Sequence, residues 1–236
     1  ETVVRYRIRR KKMDNGMVYP VLFPEEIIRA FENKTFDCIH VHHPMFVGPL
    51  GVKLGKRYAI PVIFTCHTRY EDYLHYIPVF RVNGHSSGLK KRAVEWVRTT
   101  VIPSYIKWFA DQCDLVLAPS AGMQRVLRTY GMKSRSAVLP TGLEENFFLA
   151  DQERAVQIRR QYGKGKKYLL GTVSRLEKEK NYGFLLRGIA EIREKIGDDF
   201  HVLILGDGSQ KSELKVRASF LGIQGMVTFA GNIPND

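Results

Sequence analysis

Residues Tyr168–Asn181 read YLLGTVSRLEKEKN, and this order decides the fold. Tyr168–Val173 has the composition of a buried apolar β-strand, and Gly171 within it permits close approach of a neighbour or ligand. Arg175 and Lys180 follow at the strand's exit, and Asn181 stands where the next helix needs an N-cap. Ligands of open parallel α/β sheets bind beyond the carboxyl ends of the strands. A guanidinium fork and an ammonium point charge at that place suit a diphosphate.

A second cluster lies about a hundred residues earlier. The segment 37–42 (DCIHVH) reads as a strand with a polar exit at His42-His43-Pro44. Residues 46–58 read as a helix. Residues 61–66 (PVIFTC) read as a second strand, ending in His67-Thr68. Strand, helix, strand is a βαβ unit, which requires a parallel sheet, so both exits face the same edge.

These motifs together carry a resemblance. The 171–181 segment resembles the donor-diphosphate pattern G-x-x-S/G-R-L-x-x-x-K-N/G of retaining GT-B glycosyltransferases of family 4. DCIHVHHP and PVIFTCHT resemble the D-x-I-H-x-H-x-P and P-x-V-x-T-x-H-T signatures of the acceptor-side domain of that family. The run HTRYEDYLHYIP (67–78) is closer still to the bacterial diacylglycerol glucosyltransferases, in which an E-D-Y-x-H-Y string follows the histidine. The fold implied is α/β, GT-B, with two doubly wound Rossmann-like domains.

Composition is compatible with that class. The chain has 236 residues, 44% hydrophobic and 26% charged, ordinary for a globular protein of one or two domains. No apolar run approaches the roughly 20 residues of a membrane span, and no secretory signal is visible. Cys38, Cys66 and Cys113 are odd in number and never spaced as a Cys-x-x-Cys pair, so they read as buried, reduced thiols of a cytoplasmic protein. The net charge of +13 calls for a polyanionic partner. Of the 37 basic and 24 acidic residues, 22 and 13 precede Asp151, so the surplus is concentrated on the acceptor side.

Along the chain, residues 3–8 alternate as a strand that runs into the basic cluster Arg9–Lys12, and Pro24–Asn33 reads as a helix. Residues 82–88 (VNGHSSG) are a loop by composition. Leu89–Cys113 is helical in pattern, broken at Pro103. Its first part sets Lys90, Lys91, Arg92 and Arg98 beside Leu89, Val94, Trp96 and Val97, the pattern of an interfacial helix, although a core helix with a charged face has the same pattern. Strands follow at 115–118 and 137–140, with Ser120 as N-cap between them. The segment VLPTGLEENFF (138–148) resembles the family's crossover between domains. Residues 1–141 therefore form the acceptor-side domain and 142–236 the donor-binding domain, with Gly142 as a hinge. Beyond it, helices at 153–162, 182–196 and 210–221 alternate with strands at 168–173, 200–205 and 226–230. Against the family pattern, the opening glycine-rich strand and the later E-x7-E pair are missing. The sequence thus reads as lacking both ends of the fold, and a 236-residue chain would be inactive by itself.

The resemblance assigns roles. His67, Arg175 and Lys180 carry catalysis, the two cations neutralising the leaving diphosphate. Gly171, Arg175, Lys180, Asn181, Gly206, Asp207 and Gly208 bind the nucleotide sugar, the 206–208 turn matching the family's G-D-G-P with Ser209 in place of proline. His42, Glu71, Asp72, Tyr73 and Tyr76 shape the acceptor entrance, and Glu177 and Glu179 face solvent. The donor is UDP-glucose and the acceptor diacylglycerol or another lipid at an anionic membrane surface, with the enzyme peripheral at the inner face of the plasma membrane. A soluble acceptor is the alternative. No tightly bound cofactor or metal is expected, because His40, His42 and His43 lack a cysteine or carboxylate set at ligand spacing. In the related phosphatidylinositol mannosyltransferases the helix before the first histidine strand is polybasic. Here it holds Glu25, Glu26 and Glu32, so membrane contact must use another patch. A nucleic-acid-binding module also fits the charge but lacks a stacking motif or recognition helix. A NAD-dependent Rossmann enzyme lacks any complete G-x-G-x-x-G after a strand.

Overall fold

The computed structural model describes residues 3–6, 8–12, 18–21, 23–145, 149 and 151–233. The chain divides into two compact units, Glu1–Gly142 and Leu143–Asp236. The crossover residues 146–148 and the final residues 234–236 lie outside the described residues.

The first unit opens with an antiparallel hairpin, β1 (Ile8–Lys12) and β2 (Val18–Pro20). The basic cluster read as a tail to the first strand is thus itself a strand. Helix α1 (Glu25–Glu32) follows, with Glu25 and Glu26 in its first turn, where acidic groups meet the positive end of the helix dipole. Then come β3 (Ile39–Val41), α2 (Gly48–Tyr58), β4 (Val62–Thr65), α3 (Gly88–Trp96), α4 (Ile102–Ala110), β5 (Leu115–Ala118), α5 (Ala121–Thr129) and β6 (Ser136–Val138). The four strands β3 to β6 form a parallel sheet in sequential order. Right-handed crossovers in that order put the connecting helices over one face. The core sits there: Val41, Val62, Phe64, Val116 and Ala118 from the strands meet Val52, Ile106, Phe109 and Leu127 from the helices. Phe64 and Phe109 meet edge to face at 5.0 Å. Strand alternation sends His40, Ile63 and Thr65 to the other face.

Pro103 does not break the long helix as its sequence implies. Residues Val97–Val101 take π geometry and α4 follows without a break, the wider turn ahead of Pro103 accommodating its ring and missing N–H. Ser120 caps α5 by accepting from the Met123 N–H at 3.2 Å.

In the second unit α6 (Gln152–Tyr162) precedes a parallel sheet of β7 (Tyr168–Val173), β8 (Phe200–Leu205) and β9 (Val227–Gly231), joined by α7 (Tyr182–Ile196) and α8 (Lys211–Phe220). Central β8 is buried, and Phe200, Val202 and Ile204 pack against Leu186, Ile189, Leu214 and Ala218. The expectation of a buried β7 is corrected. Among the described strands β7 pairs only with β8, so it forms an edge, and Leu170 and Val173 are 47% and 77% exposed. Gly171 consequently has open space where a Cβ would stand. In neither sheet do the described strands reverse their order.

One cysteine, Cys38, also differs from the sequence reading. Cys66 and Cys113 are buried, and burial pushes each thiol up to about 12, whereas Cys38 is exposed. Because the thiolate is the reactive form, a disulfide-exchange reagent at pH 8 is expected to titrate Cys38 alone in the native chain and all three after denaturation. Rapid native reaction of Cys66 would contradict this packing.

Candidate functional site

In the first unit the histidines gather where β3 and β4 end. The register pairs His40 with Ile63 and Val41 with Phe64, so the next residues out of each strand face one another. His40 Nε2 lies 2.6 Å from the Thr65 hydroxyl, and His42 Nδ1 lies 2.9 Å from His67 Nε2. The His42 and His67 rings are stacked, nearly parallel, with centroids 5.2 Å apart, and His40 lies 4.1 Å from His42. Burial, and then His42 and His67, hold the His40 imidazole below its ordinary pKa. His42 and His67 are exposed. His43 turns aside, its Nδ1 lying 2.9 Å from Met45 O and 3.2 Å from the Met45 nitrogen. Among the described residues no group of three histidine, cysteine, aspartate or glutamate side chains is placed to hold a metal ion.

The residues after His67 form a 3₁₀ stretch, Tyr70–Tyr76. Tyr73 and Tyr76 stack with centroids 5.7 Å apart and are half-buried. Glu71, placed by sequence at the acceptor entrance, turns inward instead and is buried. It accepts from Arg69 Nε at 2.8 Å and from the hydroxyl of Tyr130, the C-cap residue of α5. The Glu71 carboxylate in turn holds the Arg69 guanidinium above its ordinary pKa. Asp72 lies 3.5 Å from Arg69 and 3.8 Å from Arg98 of the π turn. Glu71 therefore fixes this stretch against α5 rather than opening toward solvent. Glu71→Gln is expected to lower stability by about 1–3 kcal/mol, the range for a weakened charged hydrogen bond, readable as a drop in urea midpoint without a change in slope. An unchanged midpoint would mean the Arg69 and Tyr130 contacts contribute nothing.

In the second unit two turns are laced together beyond the ends of β7 and β8. The Ser174 N–H donates to Leu205 O at 3.1 Å, the Leu176 N–H to Asp207 O at 2.9 Å, and the Gln210 N–H to Leu176 O at 3.1 Å. Glycine is required in the second turn. Gly206 has φ +126°, and a Cβ there would stand 2.0 Å from Ser174 O; one on Gly208 would stand 2.5 Å from Leu176 O. Asp207 accepts from its Gly208 N–H at 2.8 Å and from Lys211 at 2.7 Å, and these hold its carboxyl below the usual range, Lys211 most.

Glu177, read as solvent-facing, instead staples the turns: it accepts from the Ser209 N–H at 2.9 Å and from its hydroxyl at 2.7 Å. Serine in place of proline supplies both donors. Glu179 is also turned in, its side chain 9% exposed and 3.1 Å from Arg175 Nη2. Arg175 itself is 54% exposed, and Lys180 is exposed with no partner among the described residues. Asn181 is not the expected cap. It occupies the N-cap position of α7 in the left-handed region, φ 50°, where its side chain makes no capping bond. A capping side chain needs extended backbone, and the 3₁₀ turn Lys178–Lys180 forces the chain to reverse hand here.

The structure thus groups His40, His42, Thr65 and His67 in one unit, and in the other laces the Arg175 turn to the 206–210 turn, with Lys180 at the end of the 3₁₀ turn Lys178–Lys180. The His42–His67 and Glu177–Ser209 contacts were missed by sequence reasoning. The signal for the first lay in the matching polar exits of two neighbouring parallel strands.

Residues 1–147 match the sequence profile of Glycosyltransferase Family 4, and residues 155–236 that of Glycosyl transferases group 1. The alpha-monoglucosyldiacylglycerol synthase of Streptococcus pneumoniae is 32% identical over 213 residues, 88% of this chain and 44% of that protein. The enzyme of the same name from Acholeplasma laidlawii is 24% identical over 198 residues, 82% and 47% of the two chains. The chain thus spans about half the length of these curated relatives. Among solved structures, Anabaena HepE in complex with UDP and glucose superposes with a TM-score of 0.61 at 17% identity, over 89% of this chain and 52% of that one. That likeness establishes the GT-B fold class.

Proposed function

The chain belongs to glycosyltransferase family 4, and from that membership we propose that it transfers glucose from UDP-glucose to diacylglycerol with retention at the anomeric carbon. The single observation carrying this reading is the 32% identity with a synthase of alpha-monoglucosyldiacylglycerol over most of the chain. An α-linked donor giving an α-linked product requires retention, and HepE, bound to UDP and glucose, supports the choice of donor.

In this reading Arg175 and Lys180 receive the diphosphate. They stand beyond a parallel strand, on a turn held rigid by the Gly206–Gly208 loop and the Glu177 staple. Negative charge develops on the leaving UDP as the glycosyl bond breaks, and preorganised cations stabilise that charge more than the ground state. No protein nucleophile is needed if a leaving-phosphate oxygen takes the acceptor hydroxyl's proton on the same face. His67 hydrogen-bonds a sugar hydroxyl, and Tyr73 and Tyr76 border the acceptor.

The acceptor's lipid nature implies a surface on which the enzyme works. No helix among the described residues is long and apolar enough to cross a membrane. Helix α3 instead buries none of its side chains, exposes Leu89 at 80% and Trp96 at 60%, and carries Lys90, Lys91 and Arg92. Exposed apolar groups among lysines and arginines fit the interface of an anionic leaflet. Replacing Lys90, Lys91 and Arg92 with glutamate is expected to abolish most co-sedimentation with phosphatidylglycerol-containing vesicles, and added salt to weaken it in the unsubstituted protein. Unchanged binding by the triple variant would move the contact elsewhere.

The catalytic reading is tested by incubating enzyme from the complete gene with labelled UDP-glucose and diacylglycerol in vesicles. Monoglucosyldiacylglycerol of α configuration is expected. Labelled product only on a water-soluble acceptor, or none with UDP-glucose but some with another nucleotide sugar, would overturn the assignment.

A further inference from the structure

The His42–His67 contact has a direction that the imidazole chemistry fixes. A neutral imidazole carries one N–H, and the hydrogen bond made by one ring nitrogen decides what the other offers. The bond joins His42 Nδ1 to His67 Nε2 at 2.9 Å. If His67 Nε2–H donates, both rings are Nε2–H tautomers, the form that free imidazole side chains favour. If His42 Nδ1–H donates, both rings must take the less favoured Nδ1–H form. The first arrangement is therefore the lower in energy, and it leaves His67 Nδ1 as a bare acceptor.

The neighbours hold the pair in place. His40 lies against the His42 ring at 4.1 Å and is itself fixed by Thr65 at 2.6 Å. His43 is taken up by Met45 and does not compete. Arg69, two residues beyond His67, is engaged by Glu71 and Asp72.

We infer that His42 is a positioning residue: it locks His67 in the Nε2–H tautomer, so that His67 presents Nδ1 to accept a hydrogen bond from a hydroxyl of the substrate. This rests on the reading of His67 given above. The substrate group selected is a hydroxyl or other donor, and a carboxylate or phosphate oxygen at the same place is disfavoured because it brings no proton. The lock also explains why His42, exposed at a strand end, is a histidine and not any other polar residue. Asparagine is the closest substitute, since its side-chain amide reaches the place of Nδ1.

The test uses the whole 236-residue chain labelled with ¹⁵N-histidine and long-range ¹H–¹⁵N spectra at neutral pH. His67 is expected to show one Nε2–H tautomer in the unsubstituted chain, a tautomer mixture in His42→Phe, and recovery in His42→Asn, with thermal melting confirming that each variant is folded. The same mixture in the unsubstituted chain and in His42→Phe, or an Nδ1–H form in the unsubstituted chain, overturns the inference. In transfer assays with enzyme from the complete gene, His42→Phe is expected to lower kcat with little change in KM, and His42→Asn to regain it. An unchanged kcat in His42→Phe overturns the positioning role. Full activity in His67→Ala would sink the catalytic reading of His67, while the spectra still decide the tautomer lock by themselves.

Discussion

Arg175→Ala and Lys180→Ala are each expected to slow sugar transfer by on the order of 10²–10³-fold, the cost of losing one preorganised charge-stabilising group. That corresponds to about 3–4 kcal/mol of transition-state stabilisation. Stability should change much less. Arg175 is half-exposed, but Glu179 beside it is only 9% exposed, so losing their ion pair costs about 1–2 kcal/mol. Lys180 is exposed and has no partner among the described residues, so its loss removes no described contact. The two effects separate in experiment: kcat falls by orders of magnitude, while the melting curve barely moves for Lys180→Ala and shifts by a few degrees for Arg175→Ala. Arg175→Lys should recover only part of the rate, because an ammonium lacks the planar fork that grips two phosphate oxygens. Transfer at the unsubstituted rate in either alanine variant would remove these residues from the diphosphate site.

Gly206→Ala is expected to have the largest structural effect. Its Cβ would fall 2.0 Å from the Ser174 carbonyl oxygen, a backbone atom that cannot swing aside, and φ at this position is +126°. Steric overlap and a strained φ together cost on the order of 3 kcal/mol. The Gly206 N–H also donates to Gly231 O at 2.7 Å, so relieving the clash would pull the turn away from the end of β9. Thermal unfolding of the second unit should shift down by several degrees, and UDP affinity should fall because the Arg175 turn loses its backing. Gly142→Ala is the control, since a Cβ there meets nothing. Equal melting temperatures for the two variants would show that the laced turns are looser than described.

Much of this was legible in the chain. Tyr182–Ile196 and Phe200–Leu205 have the bounds that their periodicity implies, because each carries its own apolar pattern and a clear terminator. The parallel pairing of the two histidine strands follows from the length of the crossover between them. What failed did so for reasons of context. The strand 168–173 is apolar in composition, yet burial depends on what pairs with it, and its sequence says nothing of that. Asn181 is a good capping residue whose backbone was committed by the preceding turn. Glu71 looked like part of the acceptor entrance and Glu177 like a solvent group because their partners, Tyr130 and Ser209, lie 59 and 32 residues away. Long-range polar contacts leave no local pattern. Arg175 and Lys180 are singled out only because the motif names them, and the histidine contact was missed because no periodicity marks a contact between two strand ends.

The π turn at Val97–Val101 has a consequence for how the first unit meets its surroundings. In an α-helix each residue advances the side-chain direction by about 100°, and a π turn behaves as a one-residue insertion. It therefore slips the phase of the helix between its two halves. Ile106, Phe109 and Ala110 of α4 stay locked on the sheet, while Leu89 and Trp96 of α3 are turned out of that register and point to solvent. One continuous rod thus carries two apolar faces out of phase, one facing inward and one outward. Deleting a single residue from the π turn would restore the α-helical phase and swing the Leu89–Trp96 face through about 100° without touching a charge or an apolar group on α3. The outward orientation of that face is set by the winding of five residues, and it can be redirected independently of its composition.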